Sequence, residues 1–360
     1  MNDLSTLEVV DIKTLTKQSV QIDFKLPIGN ERLFLFKPGQ YITLSFEIGG
    51  EEYRRAYSIC SSHNTKDTIS VGVKRVKNGK VSNHINDQLK PGSKVEVLPP
   101  MGEFFADIQT SNYKSYYLFA AGSGITPMLS ILKSVLETED KSYVYLLYGN
   151  SNLDSIMFKD ELKRLLNQYS DRLIVQHNLS KPKSKLGRLF KSSKSDDVEF
   201  TKGRIEASVV KSFIKNNPPY AQNAEYYMCG PNMMMETIEE SLKSLDVPKS
   251  RIYKESFGTE SNVKSVSGQA SKLQVNYSGE NFEIEVKKDQ TLLRALLNNN
   301  IDVQYSCEGG VCGMCKSQLV EGEVHMESNM YFTEDEVSNG NILCCQSVAK
   351  TPNISIYIKE

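Results

Sequence analysis

No stretch of this sequence approaches the roughly 18 consecutive apolar residues of a membrane-spanning helix, so none is expected. The opening MNDLSTLEVVDIKTLT lacks the basic start and apolar core of an export signal, and a cytoplasmic location follows as an expectation. There is almost no net charge. At −1 overall, the chain has no bulk attraction for nucleic acid or for a membrane surface. Histidine is scarce: His63, His84, His177 and His325 are scattered, which argues against a histidine-centred acid–base or metal site. Internal repeats are absent, as is the GxGxxG fingerprint of the dinucleotide-binding fold.

What is present describes a multidomain globular protein. A chain of 360 residues, 39% hydrophobic and 24% charged, exceeds one ordinary domain and can bury real cores. The charge is unevenly divided. From Lys272 to Glu360 there are 7 basic and 13 acidic residues, a net −6, against +5 for the first 271. An acidic module is thus joined to a mildly basic body.

Periodicity separates three regions. Residues 1–107 read as short strands (SVQIDFKL, QYITLSFEI, TISVGVKRV, KVEVLPP) broken by Pro-Gly, Gly-Gly and Asn-Gly turns, the pattern of an antiparallel β-barrel. Over 108–258, strands such as YYLFAA, YVYLLYG, LIVQHNL and YYMCG alternate with helical stretches, which predicts a doubly wound α/β domain with a parallel sheet. A polar, Ser/Lys-rich stretch at 181–203 reads as a surface insertion, and 259–271 as a linker. Residues 272–360 read as a small α+β module: a hairpin around SGEN, a short helix in TLLRALLNNN capped by Thr291, a cysteine loop and further strands.

The cysteine loop is the most specific motif. Seven cysteines without an export signal indicate a reducing compartment, where clustered thiols hold metal or do redox work. CEGGVCGMC places Cys307, Cys312 and Cys315 in C-x4-C-x2-C spacing, with Cys345 further on in ILCCQS. Four thiolates so spaced form the plant-type [2Fe–2S] pattern. Gly309, Gly310 and Gly313 permit the positive φ angles and the close amide approach such a loop needs. The alternatives are a zinc site, which favours a C-x2-C pair at both ends where only one exists here, and unligated thiols, which need no such glycine density. Cys344 competes with Cys345 for the fourth place.

Other motifs carry less weight singly. Arg55-Ala56-Tyr57-Ser58 ends a strand-like segment and offers a guanidinium for a diphosphate, a ring to stack on a flat cofactor and a hydroxyl. Lys74 and Arg75 precede a turn and Gly79-x-Val81-Ser82, a helix start suited to phosphate. GSGITP, containing Gly122, Gly124 and Thr126, lies between a buried strand and a helix, where doubly wound folds bind a dinucleotide. Cys229-Gly230-Pro231 repeats that arrangement at a later strand end, although a lone cysteine is more often a small buried hydrophobe.

In this order, RAYS, GKVS, GSGITP, CGP and ESFG resemble the ferredoxin–NADP reductase superfamily; the C-terminal plant-type ferredoxin, a β-grasp fold, makes the whole chain similar to the reductase subunits of ring-1,2-phenylacetyl-CoA epoxidase systems and their close relatives. The resemblance implies an NAD(P)H:acceptor oxidoreductase with FAD and a [2Fe–2S] cluster, passing electrons to an oxygenase. It implies Arg55 at the flavin diphosphate, Tyr57 on the isoalloxazine and Ser58 near its N5. Gly79 to Ser82, with Lys74 and Arg75 alongside, would cradle the flavin phosphates. Gly122, Gly124 and Thr126 would line the nicotinamide nucleotide, and Cys229, Gly230 and Pro231 the approach of its C4. Phe257, beside Glu255, would shield the other flavin face, unless it is simple core. The four-ligand set becomes Cys307, Cys312, Cys315 and Cys345. Relatives often carry arginine after YGN for the 2′-phosphate of NADPH; Ser151 stands there, so NADH is a candidate donor. A hybrid-cluster protein, a Rieske or diiron hydroxylase or a fatty-acid desaturase are alternative acceptors. A non-catalytic redox sensor is the alternative from outside enzymology.

Overall fold

The computed structural model describes residues 4–182, 198–219, 223–257 and 267–359. Contacts divide the chain into two compact units: residues up to Glu51 with Tyr57–Ser256, and Glu52–Ala56 with Phe257–Glu360.

In the first unit, apart from residues 52–56 of β4, six antiparallel strands form the N-terminal sheet: β1 (Ser5–Thr16), β2 (Ser19–Lys25), β3 (Tyr41–Ile48), β4 (Glu51–Ser58), β5 (Thr68–Lys74) and β6 (Lys94–Met101). Their order is β4-β3-β6-β1-β2-β5. Just beyond β4, Ile59 bridges to Val71 of β5 and the Cys60 amide donates to Ser70 at 2.8 Å, so the sheet curls back onto its own edge. Ile22, Phe24, Ile42, Leu44, Val71 and Val97 fill the interior. Strand β1 has little sequence signal because only Leu7 and Val9 of its twelve residues are fully buried. A single helix, α1 (Lys80–Gln88), follows β5.

The second sheet of this unit is parallel: β7 (Lys114–Ala121), β8 (Tyr143–Asn150), β9 (Leu173–Leu179), β10 (Phe200–Lys202), β11 (Asn223–Cys229) and β12 (Ile252–Glu255), in the order β10-β9-β8-β7-β11-β12. The helices are α2 (Ile125–Thr138), α3 (Lys159–Gln168), α4 (Ala207–Asn216) and α5 (Asn232–Lys243). Continuous apolar runs such as YYLFA in β7 fit a sheet covered on both faces. Tyr117, Phe119, Leu147, Met228, Phe213 and Ile238 make up one buried layer. Chain order reverses between β7 and β11, which creates a topological switch point at their carboxyl ends. Of the insertion at 181–203, residues 183–197 lie outside the described residues, and its last part forms the edge strand β10.

The C-terminal module contains β13 (Ser271–Tyr277), β14 (Glu280–Val286), β15 (Lys316–Glu321), β16 (Val324–Met326), β17 (Asn341–Leu343), β18 (Ser347–Ala349) and β19 (Asn353–Ile358). Helices α6 (Leu292–Asn298) and α7 (Glu334–Ser338) accompany them. The main sheet runs β14-β13-β19-β15-β17, with β13 and β19 parallel at its centre. Ser278 and Gly279 turn the first hairpin at φ of 52° and 79°, the double positive φ of a tight two-residue turn. The Thr291 hydroxyl accepts from the Arg294 amide at 3.3 Å and so caps α6, whose Leu292, Leu293 and Leu296 enter the core. Of the linker region, 259–266 lie outside the described residues, while Gln269 already donates to Ala349 at 3.0 Å.

Candidate functional site

The switch point of the parallel sheet is where close backbone approach is most demanding. Gly124 leads from a tight turn into α2, and a Cβ there would collide with the carbonyl of Cys229. A Cβ on Gly230 would lie 3.2 Å from that of Ala121. The two loops that the sequence marks as glycine-bearing, after β7 and after β11, therefore pack against each other and allow no side chain between them. Gly122 sits at φ 55°, a conformation that favours glycine, and its carbonyl accepts from the Tyr148 hydroxyl at 2.9 Å. Pro231 caps α5.

Thr126 turns inward. Its hydroxyl donates to the Ser123 carbonyl at 3.0 Å, and a Cβ on Gly72 of β5 would stand 2.6 Å from its methyl. Thr126 thus serves loop packing in this structure. Gly72 escaped notice, although an isolated glycine inside a strand is a known signal of close approach.

Lys74 ends β5 with its ammonium 3.5 Å from where a Cβ of Gly122 would be. Arg75 is tied to Asp87 on α1 at 2.6 Å. Gly79 caps α1 and Val81 is buried beneath it. The Ser82 hydroxyl oxygen accepts from the Val76 amide at 3.1 Å, which leaves its hydrogen available to a phosphate oxygen. With the N-terminal end of α1, this hydroxyl suits an anionic phosphate.

Ser58, buried, lies at the end of β4. Its hydroxyl is 3.4 Å from a carboxylate oxygen of Glu255, at the end of β12. Glu255 is also the pairing partner of Cys229 across β11 and β12. It keeps some accessible surface as a residue, yet its carboxyl group is enclosed; desolvation pushes it up to about 8, against a smaller lowering by the Ser58 hydrogen bond. Burial raises the Cys229 thiol well above its ordinary value, with the nearby Glu255 charge acting the same way, so Cys229 stays a neutral thiol. Three groups of different chemistry thereby meet: a hydroxyl, a protonated carboxyl and a thiol. Of the predicted residues, Phe257 is half-buried and groups by contacts with the C-terminal unit.

Within the C-terminal unit the four predicted thiols are arranged as two pairs. The Cys307 sulfur accepts from the Cys312 thiol and from loop amides, including Gly309 at 3.3 Å, which lowers its pKa below the ordinary thiol value. Cys315 is hydrogen-bonded with Cys345, and the Cys345 amide points at the Cys315 sulfur at 3.5 Å. Among the described residues, no three His, Cys, Asp or Glu side chains converge on a single ion. Two pairs fit a binuclear cluster, whose irons each take two protein thiolates. Gly310 and Gly313, at φ 77° and 69°, provide the loop's reversals. Cys344 faces elsewhere: its sulfur is 2.8 Å from the Ser317 hydroxyl, inside the core, where burial pushes it up to about 12.

Glu308 follows the first of these cysteines at φ 49° and is largely buried. Its carboxylate meets Arg294 at 2.6 Å and Arg55 at 3.2 Å and accepts from the Arg54 amide at 3.1 Å. Arg55, expected at a flavin diphosphate, is in this structure a partner of the cysteine loop. Nothing in the sequence marks that pairing, because residues 55 and 308 are linked only by folding.

Family models for an oxidoreductase FAD-binding domain, an oxidoreductase NAD-binding domain and a 2Fe-2S iron-sulfur cluster binding domain match residues 6–105, 118–240 and 275–350. A component of the 1,2-phenylacetyl-CoA epoxidase of Escherichia coli K12 is 34% identical over 361 residues, covering 99% of this chain and 98% of its own length. The chain belongs to the ferredoxin–NADP reductase superfamily. It is a flavin- and iron–sulfur-dependent oxidoreductase, of the reductase type that passes NAD(P)H electrons through FAD and a [2Fe–2S] centre in oxygenase systems. The ferredoxin reductase component of a Rhodococcus rhodochrous 3-ketosteroid-9-alpha-monooxygenase is 32% identical, with 95% and 93% of the two chains covered. Among solved structures, phthalate dioxygenase reductase superposes with a TM-score of 0.72 at 25% identity, covering 99% of this chain and 98% of its own. Its three-domain architecture is the one described above. No helix among the described residues is long and apolar enough to cross a membrane.

Proposed function

We propose that this chain is the reductase component of a phenylacetyl-CoA epoxidase-type diiron monooxygenase. The observation that carries this reading is end-to-end similarity to a component of such an epoxidase, through all three domains in the same order. When bound, FAD would supply two-electron hydride chemistry with NAD(P)H, and a [2Fe–2S] cluster would supply one-electron transfer.

The residues of this chain supply orientation, charge and proton placement. Tyr57 would stack on the flavin ring, and Lys74, Arg75, Gly79, Val81 and Ser82 would hold its phosphates through charge and helix-terminal amides, whereas Arg55 is engaged by Glu308. Gly122, Gly124 and Thr126 shape the loop that would line the nucleotide, while Cys229, Gly230 and Pro231 would border the nicotinamide. Ser58 and Glu255 share a hydrogen bond, the raised pKa of Glu255 favours retention of its proton at neutral pH, and the pair would present that proton to a bound flavin. Cys307, Cys312, Cys315 and Cys345 are the cluster ligands.

The test is reconstitution. The Escherichia coli epoxidase lacking its own counterpart of this chain, given this chain, NAD(P)H and phenylacetyl-CoA, is expected to form the epoxide. A second reading rests on the 3-ketosteroid monooxygenase reductase, nearly as similar. Product with that oxygenase and none with the epoxidase would favour the steroid system.

A further inference from the structure

We propose that Gln346 sets the reduction potential of the iron–sulfur cluster, by donating its side-chain amide to the sulfur of Cys345. The inference rests on the reading of the four cysteines as cluster ligands.

The position is tightly built. The Gln346 amide nitrogen lies 3.6 Å from the Cys345 sulfur, 3.0 Å from the Glu308 carbonyl and 3.1 Å from the Cys345 carbonyl. Its backbone is fixed at both ends, donating to Leu343 and accepting from Glu327, each at 2.9 Å. Its stem passes Gly310, where a Cβ would come within 3.1 Å of the Gln346 Cγ. One side chain therefore spans the cysteine loop from the first ligand's neighbour, Glu308, to the fourth ligand.

Its chemistry differs from that of the other donors. Cys307 and Cys315 receive backbone amides, from Gly309 and Cys345, which any sequence with this fold would supply. Cys345 receives a side-chain amide, which sequence can change without changing the fold. Reduction adds one electron, and the extra negative charge spreads onto the sulfurs. A donor aimed at a ligand sulfur stabilises that charge and so favours the reduced state. The effect has a sign. Losing the donor must lower the potential, and replacing it with a carboxylate must lower it further.

The experiment is an anaerobic potentiometric titration of the full-length protein, followed by visible absorbance and by the electron paramagnetic resonance of the reduced cluster. Iron and inorganic sulfide are assayed first; their absence from wild type would overturn the cysteine reading itself, along with this inference. In loaded Q346M, of similar length but without the amide, the one-electron equilibrium is expected to move three- to tenfold against the reduced form, tenfold being about 59 mV. Q346E is expected to move it further the same way. Loaded Q346M with the wild-type potential would overturn the proposal. If neither variant takes up iron, protein labelled with ¹⁵N in its glutamine side chains decides, in a Q304M background that removes the glutamine near Cys312. A hyperfine coupling from the label to the reduced cluster supports the proposal, and its absence overturns it.

Discussion

The Ser58 hydroxyl lies 3.4 Å from the Glu255 carboxylate, a contact between residues 197 positions apart that forms only when the ends of β4 and β12 meet. If this pair holds the proton beside the flavin, its loss must slow the hydride step and leave the cluster alone. S58A and E255Q are each expected to reduce the rate of flavin bleaching by NADH about tenfold or more, with unchanged iron content. Anaerobic stopped-flow absorbance measures it. Wild-type bleaching rates in both variants would remove the pair from the mechanism.

The same carboxyl gives a pH signature in stability. Glu255 is raised from 4.5 to about 8 by burial. Below pH 4.5 the folded and unfolded forms are both protonated, and folding meets no penalty from this group. Between 4.5 and 8 the unfolded chain releases the proton while the folded chain keeps it, so stability falls as pH rises. Chemical denaturation at pH 5.5 and 7.5 is expected to show wild type losing more stability than E255Q over this interval. Parallel losses in the two proteins would contradict the raised pKa.

Cys344 and Cys345 are neighbours with opposite surroundings. The first is held in the core by Ser317, and the second faces Cys315. C345S is expected to lose the visible chromophore and its iron, and C344S to keep both. Sequence spacing alone could not separate them beyond a family likeness; the physical distinction is which way each side chain leaves the turn after β17.

That contrast is typical of what the sequence made legible. The hairpin at Ser278, the cap at Thr291, strands β9 and β19 and the cysteine loop were readable because local chemistry decides them. Strand β1 was not, since its exposed, mixed-polarity face carries no strong alternation. Glu255 stood in the sequence only as a neighbour of Phe257, because its burial is created by β11 and Ser58. Glu308 and Gln346 look like ordinary polar residues until the fold closes around the cysteines.

Ser151 occupies the exposed position just after β8, where the family resemblance leads to an expectation of arginine. S151R would supply a planar cation to a 2′-phosphate. The ratio of kcat/KM for NADPH over NADH is expected to rise about tenfold, measured by steady-state ferricyanide reduction. An unchanged ratio would place nucleotide discrimination elsewhere.

One polypeptide is expected to carry electrons from a nicotinamide through a flavin to a four-cysteine iron–sulfur centre. Anaerobic titration of the purified protein with NADH, and separately with NADPH, tests it directly. The flavin band is expected to bleach and the cluster absorbance to fall in the same titration, with iron and sulfide present in equal amounts. A flavin that bleaches while an intact cluster stays oxidised, or a protein free of iron, would contradict it.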